Sequence, residues 1–219
     1  KDPRNLVIGT QVGLDTFGSI LGTTVQTAVD KASGYISSVG MKMNYSSKQC
    51  DAHTALEFII EEYRANGHHS REYGKPIKEF RADAHSIYQT KKVEKLLKGH
   101  GIELTLAPPD VKEKNGLVEG SHKWIANKVT CMYAEAKHVP EALWSYAWGY
   151  AILILNLLKS RRPGCNVSRM TDFTGKTLDF STVPLLPWGS VVEYKVSKQD
   201  RDWKIGDKSY TGIFLGIVP

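Results

Sequence analysis

Three acidic residues constrain this chain of 219 residues more than any other feature of its sequence. The stretch Leu6–Asp15 holds apolar and β-branched residues and predicts a strand with Asp15 at or near its end, and Asp83 ends a second short stretch of this kind. Glu119 follows Asp83 with thirty-five residues between them, at the predicted start of a long helix. We expect these three carboxylates to meet, and carboxylate oxygens are the ligands that Mg²⁺ and Mn²⁺ prefer.

The residues around these acids form a recognisable pattern. Arg81 stands two places before Asp83, and Asn115-Gly116 lies just before Glu119. With the thirty-five-residue spacing, they resemble the Asp, Asp, Glu signature of retroviral and retrotransposon integrases, most specifically that of copia-type elements. The resemblance covers roughly residues 8 to 217 and includes the segments Pro140–Trp144, Asn156–Leu158, Phe173–Lys176 and Gly212–Gly216.

Three residues, at two sites, depart from the family pattern. Ala84-His85 follow the second acid, where Asn or Arg and then Gly are usual, and Gly120 follows the Glu in place of the usual Arg. These departures leave the three acids intact. They affect the neighbouring turn and the DNA contacts that the resemblance implies.

The resemblance implies a metal-dependent polynucleotidyl transferase, which trims the 3′ end of transposon DNA and then joins that end to target DNA. Its cofactors would be two Mg²⁺ or Mn²⁺ ions, with Asp15 between both, Asp83 on one and Glu119 on the other. Phosphodiester transfer of this kind needs an in-line nucleophile and neutralised charge at phosphorus, so it requires no covalent enzyme intermediate.

The resemblance also implies partners. Lys112, Lys114 and Asn115, in the loop before the long helix, and Lys123, one turn after Glu119, are candidate DNA-binding residues. The alternative for Lys123 is a surface pair with Glu119, worth about 0.3 kcal/mol. The expected partners are double-stranded transposon ends, target DNA and further copies of the chain as a dimer or higher oligomer, with no membrane. The expected location is the nucleus, after assembly in cytoplasmic particles.

The expected fold follows from the order of the elements. Three strands, a helix, a strand, a helix, a strand and a helix are predicted in turn, which is the order of the ribonuclease H-like α/β fold. We therefore expect a five-stranded mixed sheet with helices on both faces, followed by a small, mostly β extension. The expected divisions are a disordered lead-in at 1–5, a catalytic core at 6–160 and a truncated, basic C-terminal extension at 161–219.

Composition adds limits to this interpretation. The formal charge is +6, and the part from Lys159 onward holds ten Lys or Arg against six Asp or Glu. This excess is compatible with phosphate binding but does not establish it. The three cysteines, Cys50, Cys131 and Cys165, are odd in number and widely spaced, which favours a reducing compartment and fits no zinc motif.

Three alternatives stay open. A cut-and-paste transposase or a nuclease could share the same fold, although the copia-like segments after Asn156 argue against both. A domesticated or inactive integrase could bind DNA or proteins without catalysis, and the departures at Ala84-His85 and Gly120 keep that alternative open. Strand-transfer activity distinguishes an active enzyme from a binding module.

Overall fold

The computed structural model describes residues 6–44, 49–50, 52–67, 77–107, 116–181, 185–195 and 209–217. The expected disordered lead-in at 1–5 lies outside these ranges. The strands are β1 (Gln11–Ile20), β2 (Thr23–Asp30), β3 (Ile36–Asn44), β4 (Gln49–Cys50), β5 (Glu79–Asp83), β6 (Glu103–Ala107), β7 (Val191–Lys195) and β8 (Ser209–Ile213). The α-helices are α1 (Ala52–Asn66), α2 (Lys91–His100), α3 (Gly116–Glu135), α4 (Trp144–Asn156) and α5 (Arg169–Thr174), with 3₁₀ turns at Ser86–Tyr88 and Glu141–Leu143.

The main sheet has the strand order β4-β3-β2-β1-β5-β6. Strands β1 to β3 form an antiparallel meander, whereas β5 is parallel to β1 and β6 is parallel to β5. The two-residue strand β4 extends the expected five-stranded mixed sheet by one short edge strand. The predicted ribonuclease H-like fold is confirmed, and β7 and β8 form the small separate sheet expected near the C-terminal end.

Alternation along β2 sends its side chains to both faces of the sheet. Ala28 joins a core cluster with α1 and α2, while Val25 and Val29 join a second cluster with α3 and α4. Because side chains on a strand alternate, residues of β1 paired with Val25 or Thr27 face α3 and α4 as well. The sheet is therefore covered by helices on both faces.

Local sequence signals define the helices clearly. In α1 the apolar residues recur at helical spacing, and all six buried side chains of that helix lie on this stripe. Thr90 caps α2, accepting a hydrogen bond from the Val93 amide at 3.3 Å, and Gly101 ends that helix in the left-handed conformation with φ 66°. No helix in the described ranges has both the length and the apolar character needed to cross a membrane.

The apolar helix α4 is buried within the chain. Trp144, Trp148 and Leu155 pack against α3 and the sheet, and Tyr150 packs in a third cluster around the buried Trp188. The nearly continuous apolar pattern at Pro140–Leu158 predicts a helix buried either against the sheet or against a partner subunit. The structure buries it in the sheet face and the third cluster.

The first strand differs from its prediction. The sequence predicted a strand at Leu6–Asp15 that carries Asp15 at or near its end, whereas β1 begins at Gln11 and continues to Ile20. The earlier residues form a turn instead: Gly9 has φ 73°, and its amide donates to the Asp30 carboxylate at 2.8 Å. Asp15 is therefore mid-strand, because pairing with β2 continues past it.

Helix α5 contributes to the main core. It lies after residue 160, where the catalytic core was expected to end, and that domain boundary stays a prediction. Phe173 is fully buried, stacks on Tyr35 with ring centroids 4.2 Å apart and meets Tyr63 edge-on at 4.7 Å. Aromatic contacts of this kind add to the free energy gained by burying the ring. The segment that contains α5 is thus part of the same hydrophobic core as β1 and α1.

We predict that Phe173→Ala lowers the free energy of unfolding by about 3–5 kcal/mol, since it empties a fully buried aromatic site. Chemical denaturation measures this loss. Phe180→Ala is the matched control, because Phe180 is 47% exposed and its truncation should change stability by no more than about 0.5 kcal/mol. Equal effects for the two variants would contradict the assignment of α5 to the core.

A buried acid lies at the turn between β2 and β3. Asp30 accepts hydrogen bonds from the Gly9 amide, the Ser33 amide and the Ser33 hydroxyl, at 2.8, 2.8 and 2.6 Å. Burial is the largest influence on this group and raises its pKa from 3.8 to about 6, although the hydrogen bonds oppose the rise. The folded chain therefore holds this proton more tightly than the unfolded chain does.

The stability should consequently depend on pH. Asp30 stabilises the fold most below about pH 4, and this contribution is lost as the pH rises to about 6, a change of about 3 kcal/mol. We predict that Asp30→Asn flattens the dependence of unfolding free energy on pH between these values. The matched comparison is denaturation of parent and variant across the same pH series, and parallel curves would contradict the prediction.

Candidate active site

Asp15 and Asp83 lie on one face of the sheet, on neighbouring parallel strands. The pairing of β1 with β5 runs through Gln11–Glu79, Val12–Phe80 and Gly13–Arg81. The pairs stop there, but two further residues along each strand lead to Asp15 and Asp83, and alternation directs both side chains to the same face of the sheet. Asp83 is the last residue of β5, and both acids lie two residues beyond the last β1–β5 pair.

The Asp15 carboxylate has two close neighbours. Its Oδ1 accepts a hydrogen bond from the Thr16 amide at 2.8 Å, and its Oδ2 lies 3.3 Å from Nδ1 of His122. His122 is buried and lies against the rings of Phe17 and Trp148, with centroids 5.5 and 6.0 Å away. These contacts orient the Asp15 side chain.

A buried polar chain supports Asp15 from the other face of the sheet. Gln26 Nε2 donates to the backbone oxygen of Asp15 at 3.1 Å, and the Tyr88 hydroxyl donates to Gln26 Oε1 at 3.0 Å. Burial chiefly raises the pKa of Tyr88, and the negative charges of Asp15 and Asp83 raise it further. Both carboxylates are therefore close enough to affect this hydroxyl.

Helix α3 carries the third acid. Glu119 lies in its first turn, as predicted, and is exposed. His122, which contacts Asp15, follows three residues later, and residues three apart on a helix are neighbours with Cβ atoms about 5–6 Å apart. The helix therefore brings Glu119 to within one turn of the residue that contacts Asp15.

The predicted DNA-binding residues are only partly described. Lys112, Lys114 and Asn115 lie outside the described residues. Lys123 is exposed on α3, and within the ranges given above no ion pair joins it to Glu119. DNA binding by these four residues stays a prediction.

The turn after Asp83 accommodates the departure at Ala84-His85. His85 Nδ1 accepts a hydrogen bond from the Ile87 amide at 3.4 Å and so caps the 3₁₀ turn Ser86–Tyr88. Gln89 Nε2 donates to the Ala84 oxygen at 3.1 Å. This turn places Tyr88 next to Gln26, so Ala84 and His85 help to hold the hydrogen bonds that support Asp15.

The side chains around Asp15 fit a divalent metal only in part. Asp15 and Asp83 supply hard oxygen ligands on one sheet face, which suits Mg²⁺ or Mn²⁺ in chemical type. Across the part of the chain that the structure describes, however, no three His, Cys, Asp or Glu side chains come close enough to hold an ion. Asp15 and Asp83 lie on the same face of the sheet, but Glu119 does not form one ligand group with them.

Sequence reasoning missed three supporting residues. His122 could have been found, because a residue three places after Glu119 lies on the same side of the helix. Gln26 and Tyr88 gave no such signal, since their hydrogen bond joins residues 62 positions apart. Only the folded sheet brings them together.

The sheet order and the helices on both faces are those of the ribonuclease H-like fold, which solved integrase catalytic cores share. No protein-family model matches the chain. Over 146 residues, or 67% of its length, the chain is 28% identical to the "Retrovirus-related Pol polyprotein from transposon TNT 1-94" of Nicotiana tabacum. The chain spans 11% of the length of that polyprotein.

Solved structures agree with this fold. The chain matches the BIV integrase catalytic core with a TM-score of 0.53 and 16% identity, over 75% of this chain and 93% of that one. It matches the HTLV-2 integrase catalytic core in complex with magnesium with a TM-score of 0.52 and 18% identity, over 78% and 99%. It also matches a chain of a simian T-cell lymphotropic virus intasome in complex with PP2A regulatory subunit B56 gamma. The TM-score is 0.60 and the identity is 16%, over 96% of this chain and 69% of that one.

The predicted resemblance is therefore confirmed. The chain is similar in sequence to a copia-type retrotransposon Pol polyprotein, and its fold is that of retroviral integrase catalytic cores.

We predict that Tyr88→Phe lowers the free energy of unfolding by about 1–3 kcal/mol, because Gln26 Oε1 loses its donor in a fully buried position. Tyr194→Phe is the matched control, since Tyr194 is 53% exposed and its hydroxyl can exchange with water. Urea denaturation of both variants measures the difference. A Tyr88 variant as stable as the control would show that the polar chain contributes nothing.

Proposed function

We propose that this chain contains the catalytic core of a copia-like retrotransposon integrase, which processes the 3′ ends of transposon DNA and transfers them to target DNA. The observation that carries the proposal is the position of Asp15 and Asp83 on one face of the sheet, two residues beyond the last pair of the neighbouring strands β1 and β5. Glu119 lies in the first turn of α3, and His122 of the same helix contacts Asp15. The sequence similarity to a retrotransposon Pol polyprotein supports the same reaction class.

Asp15, Asp83 and Glu119 are the residues that would hold two Mg²⁺ or Mn²⁺ ions, and a magnesium complex of one structural neighbour supports this choice. Ions bound there would activate the attacking oxygen and neutralise charge at the phosphorus. Movement of the exposed Glu119 toward the two strand acids would complete the ligand set. The Thr16 amide and His122 already fix the orientation of Asp15.

The DNA partners in this proposal are double-stranded transposon ends and target DNA. Lys123 on the exposed side of α3, together with Lys112, Lys114 and Asn115, would bind the phosphate backbone near the acids. A homo-oligomer would hold paired DNA ends, as the intasome among the structural neighbours suggests. Such a reaction would take place in the nucleus after particle assembly in the cytoplasm.

One observation favours a second candidate, an integrase-derived module that binds DNA or protein without catalysis. In the described ranges the three acids do not form a metal-binding group. Ala84-His85 and Gly120 also depart from the residues usual in the family. This candidate predicts DNA binding without strand transfer.

We predict that Glu119→Gln abolishes strand transfer of an end-matched DNA duplex into plasmid DNA in the presence of Mg²⁺ or Mn²⁺. The substitution keeps the size and hydrogen bonding of the side chain but removes the negative charge that a cation requires. Glu135→Gln is the matched control, because Glu135 is an exposed acid at the opposite end of the same helix. The parent and the control should both yield joined product.

A second measurement separates the two candidates. Mg²⁺ or Mn²⁺ should raise the melting temperature of the parent, and Asp83→Asn should reduce that rise, because ligands that bind only the native state stabilise it. If a longer form of the protein that includes the flanking polyprotein segments gave no product on intact DNA ends, and metal left its melting temperature unchanged, the binding module would be the better description.

A further inference from the structure

A basic cleft lies on the side of α3 that faces away from Glu119. Here a cleft of about 430 Å³ is bounded by the start of α3, the end of α4, the start of β3 and the chain before and within α5. Trp124 lines it and lies roughly 140° around the helix axis from Glu119 at 3.6 residues per turn. The cleft is therefore distinct from the candidate active site. The residues of its wall that matter for binding are Gly116, Gly120, Ser121, Trp124, Arg161 and Arg169.

Two arginines are held close together in this cleft. The aliphatic part of Arg161 lies across Gly34, where an added Cβ would be 2.6 Å from the Arg161 Cδ and 3.5 Å from the Arg169 Nε. Gly34 has φ 76°, so glycine is favoured there both by its backbone and by this close approach. The Arg161 amide donates to the Ser33 oxygen at 3.0 Å, which fixes the segment in place.

The positive charge of these arginines is not neutralised within the described residues. Neither Arg161 nor Arg169 forms an ion pair there, and no acid is found among the described residues that line the cleft. The neighbouring Arg162 differs, because it pairs with the buried Asp172 at 2.5 Å. Burial and the nearby charge of Arg161 lower the pKa of Arg169; its Nη1 donates to the Gly34 oxygen at 3.5 Å, but its buried Nε has no hydrogen-bond partner among the described residues. An anion between the two guanidinium groups would relieve this repulsion.

The helix start adds to the attraction for an anion. Gly116 and Gly120 line the cleft, and a Cβ at either position would meet no atom within 4 Å. Packing therefore does not require glycine at these positions. Because glycine has no side chain, the helix backbone is exposed to the cleft there. The amides of the first turn have no partner within the helix, and that end of the helix dipole is positive.

We propose that this cleft binds the phosphate backbone of nucleic acid, as a DNA contact separate from the active site. Arginine suits phosphate because its planar guanidinium donates two parallel hydrogen bonds. The indole of Trp124 is 59% exposed at the same cleft and offers a surface on which a base or sugar can pack. The choice of nucleic acid among polyanions rests on the proposed function, whereas the anion site rests on the residues themselves.

The test is binding of a fluorescently labelled DNA duplex, measured by anisotropy in EDTA at several salt concentrations. The double variant Arg161→Gln/Arg169→Gln should weaken binding about tenfold and reduce the slope of log affinity against log salt by about 1 to 2. Lys92→Gln/Lys95→Gln removes the same charge from another surface depression, lined by exposed lysines of α2. This control should bind with an affinity near that of the parent.

A second pair of variants guards against loss of the fold. Ser121→Glu puts a negative charge in the wall of the cleft, near a helix start where a carboxylate is tolerated. It should weaken DNA binding, whereas Ser145→Glu should not, since Ser145 is exposed in the first turn of α4 and lies about 15 Å along that helix from Leu155.

The outcomes are separate from those of the catalytic test, because EDTA removes any contribution of metal. Selective loss of binding in the cleft variants supports the proposal even if strand transfer is never observed. Equal loss in both arginine and lysine variants would overturn it. So would unchanged affinity in Ser121→Glu, or a parent protein that binds no duplex at low salt.

Discussion

The parallel pairing of β1 with β5 is the constraint on which the candidate active site depends. It fixes a register in which Asp15 and Asp83 lie on the same face of the sheet, and it ends two residues before them. A shift of one residue would send Asp83 to the other face of the sheet, where α1 and α2 pack. The hydrophobic alternation along both strands prevents such a shift, because it would also expose Phe80 and Ala82.

The two faces of the sheet have different tasks around this edge. On one face, Tyr88 and Gln26 form a buried polar chain that ends at the Asp15 backbone. On the other face, α3 brings His122 to the Asp15 carboxylate and exposes Glu119 one turn earlier. Asp15 is thus supported by hydrogen bonds from the opposite face of the sheet, whereas Glu119 is in the solvent-exposed first turn of α3.

Helix α3 also separates two surfaces of opposite character. Acids lie toward the β1–β5 edge, whereas Arg161, Arg169 and bare backbone line the cleft on the other side. The arginines reach that cleft because the chain after α4 folds back onto the turn at Gly34, where Asn156 bonds both backbone groups of Ile36 at 2.9 and 2.7 Å. The segment after the long helices therefore shapes a surface of the catalytic fold.

The sequence by itself determined helices α1 to α4 and the order of the five main strands, the first-turn position of Glu119 and the resemblance that joins the three acids, because periodicity, capping residues and spacing are local properties. It did not determine that Asp15 is mid-strand, that His122 contacts it, or that Phe173 completes the core. Nor did it bring Arg161 and Arg169 together over Gly34. These features depend on contacts between residues far apart in the chain, which only packing of the folded sheet and helices decides.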